Sequence, residues 1–357
     1  MHEQFLLAAL EQAKLGRGFC APNPSVGAIA VQNGNIIAQA WHRGAGTPHA
    51  EQLLLSQIPP QTPEVTLYIT LEPCNHWGKT PPCVDAIINH GIEEVVFAYF
   101  DPNPIVAKSN SSEKLREHGI QVRHIPIKAI DAFYKSYAYW TMTHKPRVTV
   151  KIAQTFDGKI GKSEGDRVVL SNVLCEQFTH QMRAASDVIL TSAKTVQMDN
   201  PRMNARLDSG VVAKPVAIVD RNLSLSDDTI IFSTAKHCHI YHQPQANQAK
   251  TYPNSTHYAM PLQNGLMDLD AIITHLGQLG YHDVWVEAGG AIFSALHSKG
   301  LVHRTYLYLV PGSLGHQAIS AYQQQGIFEK AHTVSWQAMG DNMIACLDWQ
   351  EDECLPD

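Results

Sequence analysis

Four residues in the first quarter of the chain have types that suit metal-assisted hydrolysis. His49 and Glu51 stand in "TPHAEQLLL", and Cys74 and Cys83 close the two ends of "CNHWGKTPPC". A catalytic zinc ion takes three protein ligands and keeps a fourth position for water, and one imidazole with two thiolates is an acceptable set. Glu51, two residues past His49, does not share its face of a helix, so it is poorly placed as a co-ligand. Its side chain can instead reach a metal-bound water. The chemistry this supports is hydrolysis by that water, with Glu51 moving its proton. Pro73, Pro81 and Pro82 stiffen the turns at both cysteines. Taken singly, each residue has a plainer reading, a helix-capping histidine or a small buried thiol. The set, with its prolines, is what points to chemistry.

Such side chains need elements to carry them. In "TPHAEQLLL" Thr47 is the expected cap and Pro48 the first helical residue, which puts His49 in the first turn. "VTLYITL" (65–71) reads as a strand leading to Cys74. "CVDAIINHG" (83–91) reads as a helix opening on Cys83, where free N–H groups and the dipole favour a thiolate. Gly27–Val31 and Asn35–Ala40 flank Asn33-Gly34, a strong hairpin signal. "EVVFAYF" (94–100) and "IQVRHI" (120–125) read as strands, "SSEKLREHG" (111–119) and "AIDAFYKSYAYWTMT" (129–143) as helices. The alternation predicts an α/β unit over residues 1–145, a mixed sheet covered by helices. Pro146, before a new apolar strand, marks the boundary. Residues 146–357 read as a second α/β unit with strands "VTVKIA", "DVILTS", "PVAIVD", "HIYHQ", "DVWVEA" and "TYLYLV".

The bulk numbers narrow the function classes. A chain of 357 residues exceeds one ordinary core. A net charge of −6 argues against a nonspecific nucleic-acid or anionic-membrane binder. No apolar run approaches the ~18 residues of a membrane span. "MHEQFLLAALEQAKLG" reads as an amphipathic helix ending at Gly16, not as a secretory signal. Seven scattered cysteines, odd in number, argue against a disulfide framework and for a reducing cytoplasm.

H-x-E … P-C-x-x-C is the zinc nucleobase-deaminase pattern, although here eight residues rather than two separate the cysteines. With "PNPSVGAIAV" (22–31), "WHRGAGTPHAE" (41–51), "TLEPCNHWGKTPPC" (70–83) and "DPNP" (101–104), the whole chain resembles the bifunctional riboflavin-biosynthesis deaminase/reductase family. The resemblance implies a cytidine-deaminase-like first domain, a second domain similar in fold to dihydrofolate reductase, and Zn2+ and NADPH as cofactors. It implies a pyrimidine ribose phosphate substrate, 2,5-diamino-6-ribosylamino-4-pyrimidinone 5′-phosphate. The first domain would hydrolyse its 2-amino group, and the second would reduce the ribosyl chain to ribityl. His49, Cys74 and Cys83 would hold the metal and Glu51 would be catalytic. Asn23 and His76 would bond the ring, and Lys79 would meet the phosphate as a point charge. His42 is read as structural. A homodimer through the C-terminal domain is also implied. Two positions depart from the family: Cys20 stands at a usual Thr or Ser, and Lys108-Ser109-Asn110 replaces a glycine-rich loop.

No G-x-G-x-x-G occurs in the second unit, so a Rossmann dinucleotide site is not supported. In "DVWVEAGGAIFSAL" (283–296) a strand, two glycines and an apolar helix follow one another. Gly289 and Gly290 would let a phosphate approach the helix N-terminus. With "VKIAQTFDGKI" (150–160) and "RAASDVILTSAKTVQMDNPRMNARL" (183–207), the resemblance implies cofactor contacts at Ala153, Val169, Thr195, Asp199, Gly289 and Gly290. It implies substrate contacts at Arg167, Arg183, Met203, Arg206 and Glu287. Arg183 and Arg206 suit a phosphate, and Glu287 could accept from ribose hydroxyls. The family's "GxSxWIT" appears as "GDRVVLS" (165–171), so Arg167 stands at the usual Ser and Val169 at the usual Trp. Valine offers a cofactor no stacking face. Arg221 is either a contact for the NADPH 2′-phosphate or a solvated loop residue. "KHCHIYH" (236–242) lacks a partner cluster and reads as a strand. Two other readings stand beside this one. One is a zinc deaminase of tRNA or free cytidine with a C-terminal domain that only binds or dimerises. The other is a zinc-stabilised scaffold whose reductase half has decayed.

Overall fold

A computed structural model describes residues 1–77, 81–107, 110–162, 168–247, 249–322, 326–330 and 332–349. Lys79 and Arg167, expected to contact substrate, lie outside the described residues. The chain divides into two compact units, Met1–His144 and Lys145–Asp357.

In the first unit α1 (His2–Gly16), β1 (Gly27–Gln32), β2 (Asn35–Trp41), α2 (Ala50–Leu55), β3 (Val65–Leu71), α3 (Cys83–His90) and β4 (Glu94–Tyr99) follow in order. After them come α4 (Pro104–Ala107), α5 (Ser111–Glu117), β5 (Gln121–His124) and α6 (Lys128–Thr143). The five strands run β2-β1-β3-β4-β5, with β1 antiparallel to both neighbours and β3, β4 and β5 parallel. Asn33 and Gly34 both hold positive φ, 51° and 77°, as the two-residue turn between β1 and β2 requires. β3 and β4 are buried almost throughout because helices cover both faces of the sheet. Leu6, Ile29, Leu54, Leu67, Val95, Ile130 and Tyr134 share the core between them.

Three local expectations are corrected. α2 begins at Ala50, not Pro48, and its N-cap is His49 in an extended conformation, φ −68° and ψ 162°. Thr47 is not the cap, because its hydroxyl is spent on the carbonyl of Gly44 at 2.7 Å. β3 keeps the expected bounds, Val65–Leu71, but Cys74 lies three residues beyond it and not at its end, since Pro73 has no N–H to continue a ladder.

The second unit contains β6 (Arg147–Thr155), β7 (Lys159–Gly161), α7 (Val173–Ala185), β8 (Val188–Ser192), α8 (Ala193–Asp199), β9 (Ala205–Leu207) and β10 (Gly210–Val212). It continues with β11 (Pro215–Val219), α9 (Ile231–Thr234), β12 (His237–His242), β13 (Ser255–Ala259), β14 (Leu262–Gln263), β15 (Leu266–Met267) and α10 (Leu269–Gln278). The last elements are β16 (Asp283–Glu287), α11 (Gly290–Ser298), β17 (Arg304–Val310), β18 (Ile319–Ser320), β19 (His332–Met339) and β20 (Asn342–Trp349). Nine strands make the main sheet, in the order β13-β12-β11-β8-β16-β6-β17-β20-β19. All pairs are parallel as far as β17; β20 and β19 add an antiparallel hairpin. The six strands expected from sequence form its centre. β13 is polar ("STHYA") and β19 is exposed along most of its length, so neither carries the apolar run that announces a strand.

The "KHCHIYH" stretch is a strand, β12, as expected, and its histidines and tyrosines find hydrogen-bond partners. His239 Nε2 meets the Tyr281 hydroxyl at 2.9 Å, and the Tyr241 hydroxyl meets His275 Nδ1 at 3.0 Å. These imidazoles satisfy buried phenols and do not gather on a metal.

Candidate functional site

His49, Cys74 and Cys83 come from three different places: the cap of α2, the segment after β3 and the first residue of α3. Their ligand atoms lie within 4.8 Å of one another. His49 Nδ1 is 3.2 Å from Cys83 Sγ and 3.5 Å from Cys74 Sγ. Bonds of ~2.0 Å to nitrogen and ~2.3 Å to sulfur on a tetrahedral zinc place such atoms about 3.5 Å apart, so the donor set fits that ion. Cys83 N–H donates to Cys74 Sγ at 3.4 Å, and Val84 N–H donates to the Cys74 carbonyl at 3.1 Å. The first N–H of α3 thus meets the Cys74 sulfur, as a thiolate favours, while the second holds its backbone. Hydrogen bonds from Cys83 and His49 hold the Cys74 thiol well below its ordinary range. The same bond to Cys74, together with burial, pushes Cys83 up.

Glu51 sits on α2 with its side chain buried, only 4% exposed. Burial raises its carboxyl to about 7, against the pull of the neighbouring His49. His76 Nδ1 is buried with no hydrogen-bond partner, an orphaned polar atom beside the cysteine pair. Asn23 Nδ2 lies 3.1 Å from His42 Nε2, and His42 Nδ1 lies 3.2 Å from the Pro48 carbonyl. Burial lowers the His42 pKa, so the ring is neutral, donating from Nδ1 and accepting from Asn23 at Nε2. His42 therefore fixes the Asn23 amide, a role its reading as merely structural did not include.

In the second unit Glu287, at the end of β16, lies at the centre of a polar cluster. Arg183 of α7 donates to it twice, from Nε at 2.6 Å and Nη2 at 2.8 Å, and the Trp285 indole donates at 2.7 Å. Burial alone would raise the Glu287 pKa; the Arg183 charge overrides it, with Lys151 and Trp285 assisting, and brings it to about 2. Arg183 Nη1 donates to the Asn204 carbonyl at 3.0 Å, so its guanidinium is engaged on all sides. Arg206 is more open and donates from Nη2 to Glu176 at 2.6 Å.

Lys151 was not singled out from sequence. It pairs with Glu287 across β6 and β16 and lies 4.9 Å from the centre of the Tyr308 ring. Burial lowers its pKa while Glu287 opposes. The signal was present: one lysine inside the apolar strand "VTVKIA".

Gly289 is the N-cap of α11, and a Cβ built on it would meet nothing within 4 Å. The space beside it is open, as a phosphate at a helix N-terminus requires. Gly290 differs: its Cβ would stand 2.7 Å from the Ala321 carbonyl, so this glycine serves packing. Thr195 follows the Ser192 cap of α8, with its N–H bonded to the Ser192 hydroxyl at 3.2 Å, and Asp199 is the last residue of that helix. Ala153 is partly buried on β6 and Val169 is exposed. Met203 holds φ 46° with its side chain buried in the core, leaving its backbone as the part that can face a ligand. Arg221 donates to the Gln243 side chain at 3.0 Å on the surface.

A His–Cys–Cys cluster beside a buried carboxylate in one unit and a polar cluster at the end of a parallel sheet in the other are the sites of a two-activity enzyme. Residues 1–99 match the cytidine and deoxycytidylate deaminase zinc-binding region, and residues 146–345 match the RibD C-terminal domain. Riboflavin biosynthesis protein RibD of Escherichia coli K12 is 31% identical over 328 residues, covering 88% of this chain and 89% of that one. The Aquifex aeolicus RibD is 31% identical, covering 88% of each. Among solved structures, Acinetobacter baumannii RibD superposes with a TM-score of 0.86 at 26% identity, covering 98% of this chain and 99% of that one. A deaminase/reductase from Thermotoga maritima gives 0.84 at 28% identity, with the same coverage. The chain belongs to the RibD family. It is a bifunctional deaminase and reductase of riboflavin biosynthesis whose cofactors are zinc and NADPH.

Proposed function

We propose that residues 1–145 hydrolyse the 2-amino group of 2,5-diamino-6-ribosylamino-4-pyrimidinone 5′-phosphate and that residues 146–357 then reduce its ribosyl chain to ribityl. The observation that carries this is the convergence of His49, Cys74 and Cys83 within 4.8 Å beside the buried carboxylate of Glu51. When bound, zinc supplies Lewis-acid activation of water. Glu51, held in a buried position beside the cluster, takes a proton from that water and returns it to the leaving amine. Asn23, oriented by His42, and His76 hold the edge of the ring, and Lys79 meets the phosphate.

In the reductase NADPH supplies the hydride. Gly289 admits the cofactor phosphates, with Ala153, Val169, Thr195, Asp199 and the backbone at Gly290 along the rest of its length. Glu287 accepts from the ribose hydroxyls and Arg183 acts through it by fixing the carboxylate. Arg206, the Met203 backbone and Arg167, which lies outside the described residues, contact the substrate, with the arginines taking its phosphate. We further propose a homodimer through the second unit, supported by the exposed Val334 and Trp336 on the edge strand β19. A cytoplasmic location is supported by six free cysteines among the described residues. No helix among the described residues is long and apolar enough to cross a membrane.

Glu51→Gln tests the first half. Ammonia release should fall roughly a thousandfold, the scale of a lost general acid–base group. Zinc content and NADPH oxidation with the deaminated intermediate should stay at wild-type levels. A variant that still releases ammonia at the wild-type rate would contradict the role given to Glu51, and a wild-type protein that releases none would favour the zinc-stabilised scaffold.

A further inference from the structure

In a C-x-x-C pair one tight turn fixes both sulfurs. Here eight residues separate Cys74 from Cys83, and a connection of that length does not hold its own ends together. The bonds from Cys83 N–H to Cys74 Sγ and from Val84 N–H to the Cys74 carbonyl tie the two ends at one point, and a second brace outside the loop would keep the two segments from pivoting about it.

Lys114, on α5, is placed to do so. Its ammonium donates to Asn75 Oδ1 at 3.0 Å and to Asp85 Oδ1 at 2.6 Å. Asn75 directly follows Cys74. Asp85 lies two residues past Cys83, in the first turn of α3. One cation on a third element, itself packed against α3, therefore spans the feet of both ligand-bearing segments.

We propose that Lys114 is a positioning residue for the zinc site: it fixes the exit from Cys74 against the entry to α3 and so sets the distance between the two sulfurs. It touches neither metal nor substrate. The inference rests on the assignment of His49, Cys74 and Cys83 as ligands. The ammonium and the Asp85 carboxylate are each about one-third exposed, 34% and 37%, so the ion pair adds little to global stability. Its effect falls on ligand geometry, where supporting partners change metal affinity by roughly ten- to a hundredfold.

The test uses the full-length protein and the variants Lys114→Met, Lys114→Arg and Asp85→Ala. Zinc affinity is measured by competition with a chromophoric chelator, and thiolate ligation is read from the absorption spectrum of the cobalt(II)-substituted protein. Lys114→Met and Asp85→Ala should bind zinc roughly tenfold more weakly, with a shifted cobalt spectrum, and Lys114→Arg should recover most of the loss. The thermal midpoint of the metal-free protein and NADPH oxidation with the deaminated intermediate should be unchanged in all three. Wild-type zinc affinity in both Lys114→Met and Asp85→Ala overturns the proposal. So does a fall in the metal-free midpoint that accompanies the affinity loss, which would make Lys114 an ordinary fold-stabilising residue. If the wild-type chain itself takes up no zinc, the ligand assignment fails and not the strut alone.

Discussion

Glu51 and Glu287 are both nearly buried carboxylates, and their surroundings send them opposite ways. Glu51 has thiols and an imidazole for company, and burial carries it up to about 7. Glu287 faces a bidentate guanidinium and is held down at about 2. The second case predicts a pH dependence. Glu287 titrates near 4.5 in the unfolded chain and near 2 in the folded one, so the unfolded state binds the proton first. Its contribution is fully present above about pH 4.5 and is lost as the pH falls through about 2. A shift of this size corresponds to ~3 kcal/mol. Glu287→Gln should therefore destabilise the protein by about 3–5 kcal/mol in urea at neutral pH, because Arg183 is left buried without its counter-charge. The variant should also lose the acid sensitivity between those two pH values; an unaltered urea midpoint would show that the pair contributes nothing net. The cluster of His49, Cys74 and Cys83 was legible from sequence because metal chemistry restricts residue type, spacing and flanking prolines together. The Arg183–Glu287 pair was not, since the partners lie 104 positions apart and only the fold brings α7 against β16.

At the scale of the element, sequence marks where a helix or strand ought to lie more surely than how it begins. Thr47 looks like a cap, yet the chain uses His49, because an extended residue at that point aims its imidazole at the cysteines. Polar edge strands such as β13 and β19 escape pattern reading because their residues follow solvent and neighbour, not a core. The two glycines before α11 show how alike two residues can look in sequence and how differently they serve. Gly290→Ala should lower the melting temperature, at a cost of roughly 1–3 kcal/mol, since its methyl would press on the Ala321 backbone. Gly289→Ala should melt like the wild type and bind NADPH several-fold more weakly, because its methyl enters open space at the helix N-terminus. Wild-type melting of Gly290→Ala would contradict its packing role, and unchanged NADPH binding in Gly289→Ala would remove the cofactor from this turn.

On the scale of the molecule, the two units are built on different sheets, five strands with one antiparallel hairpin and nine strands with a parallel run. The alternation of strand and helix made both α/β units readable, and Pro146 fell beside the division between Met1–His144 and Lys145–Asp357. The order of the nine strands was not readable, because crossovers place β6 between β16 and β17 and no local pattern encodes that. Two activities in one chain make a sharp demand: the product of the first must be the substrate of the second. Mass analysis of the purified, zinc-loaded protein incubated with the diamino-pyrimidine ribose phosphate tests this most directly. Without NADPH the account predicts one product in which an amino group has become an oxo group, with ammonia released in equal amount. With NADPH it predicts that this product gains two hydrogens on its sugar chain. Unchanged starting material, or a deaminated product that NADPH leaves untouched, would contradict it.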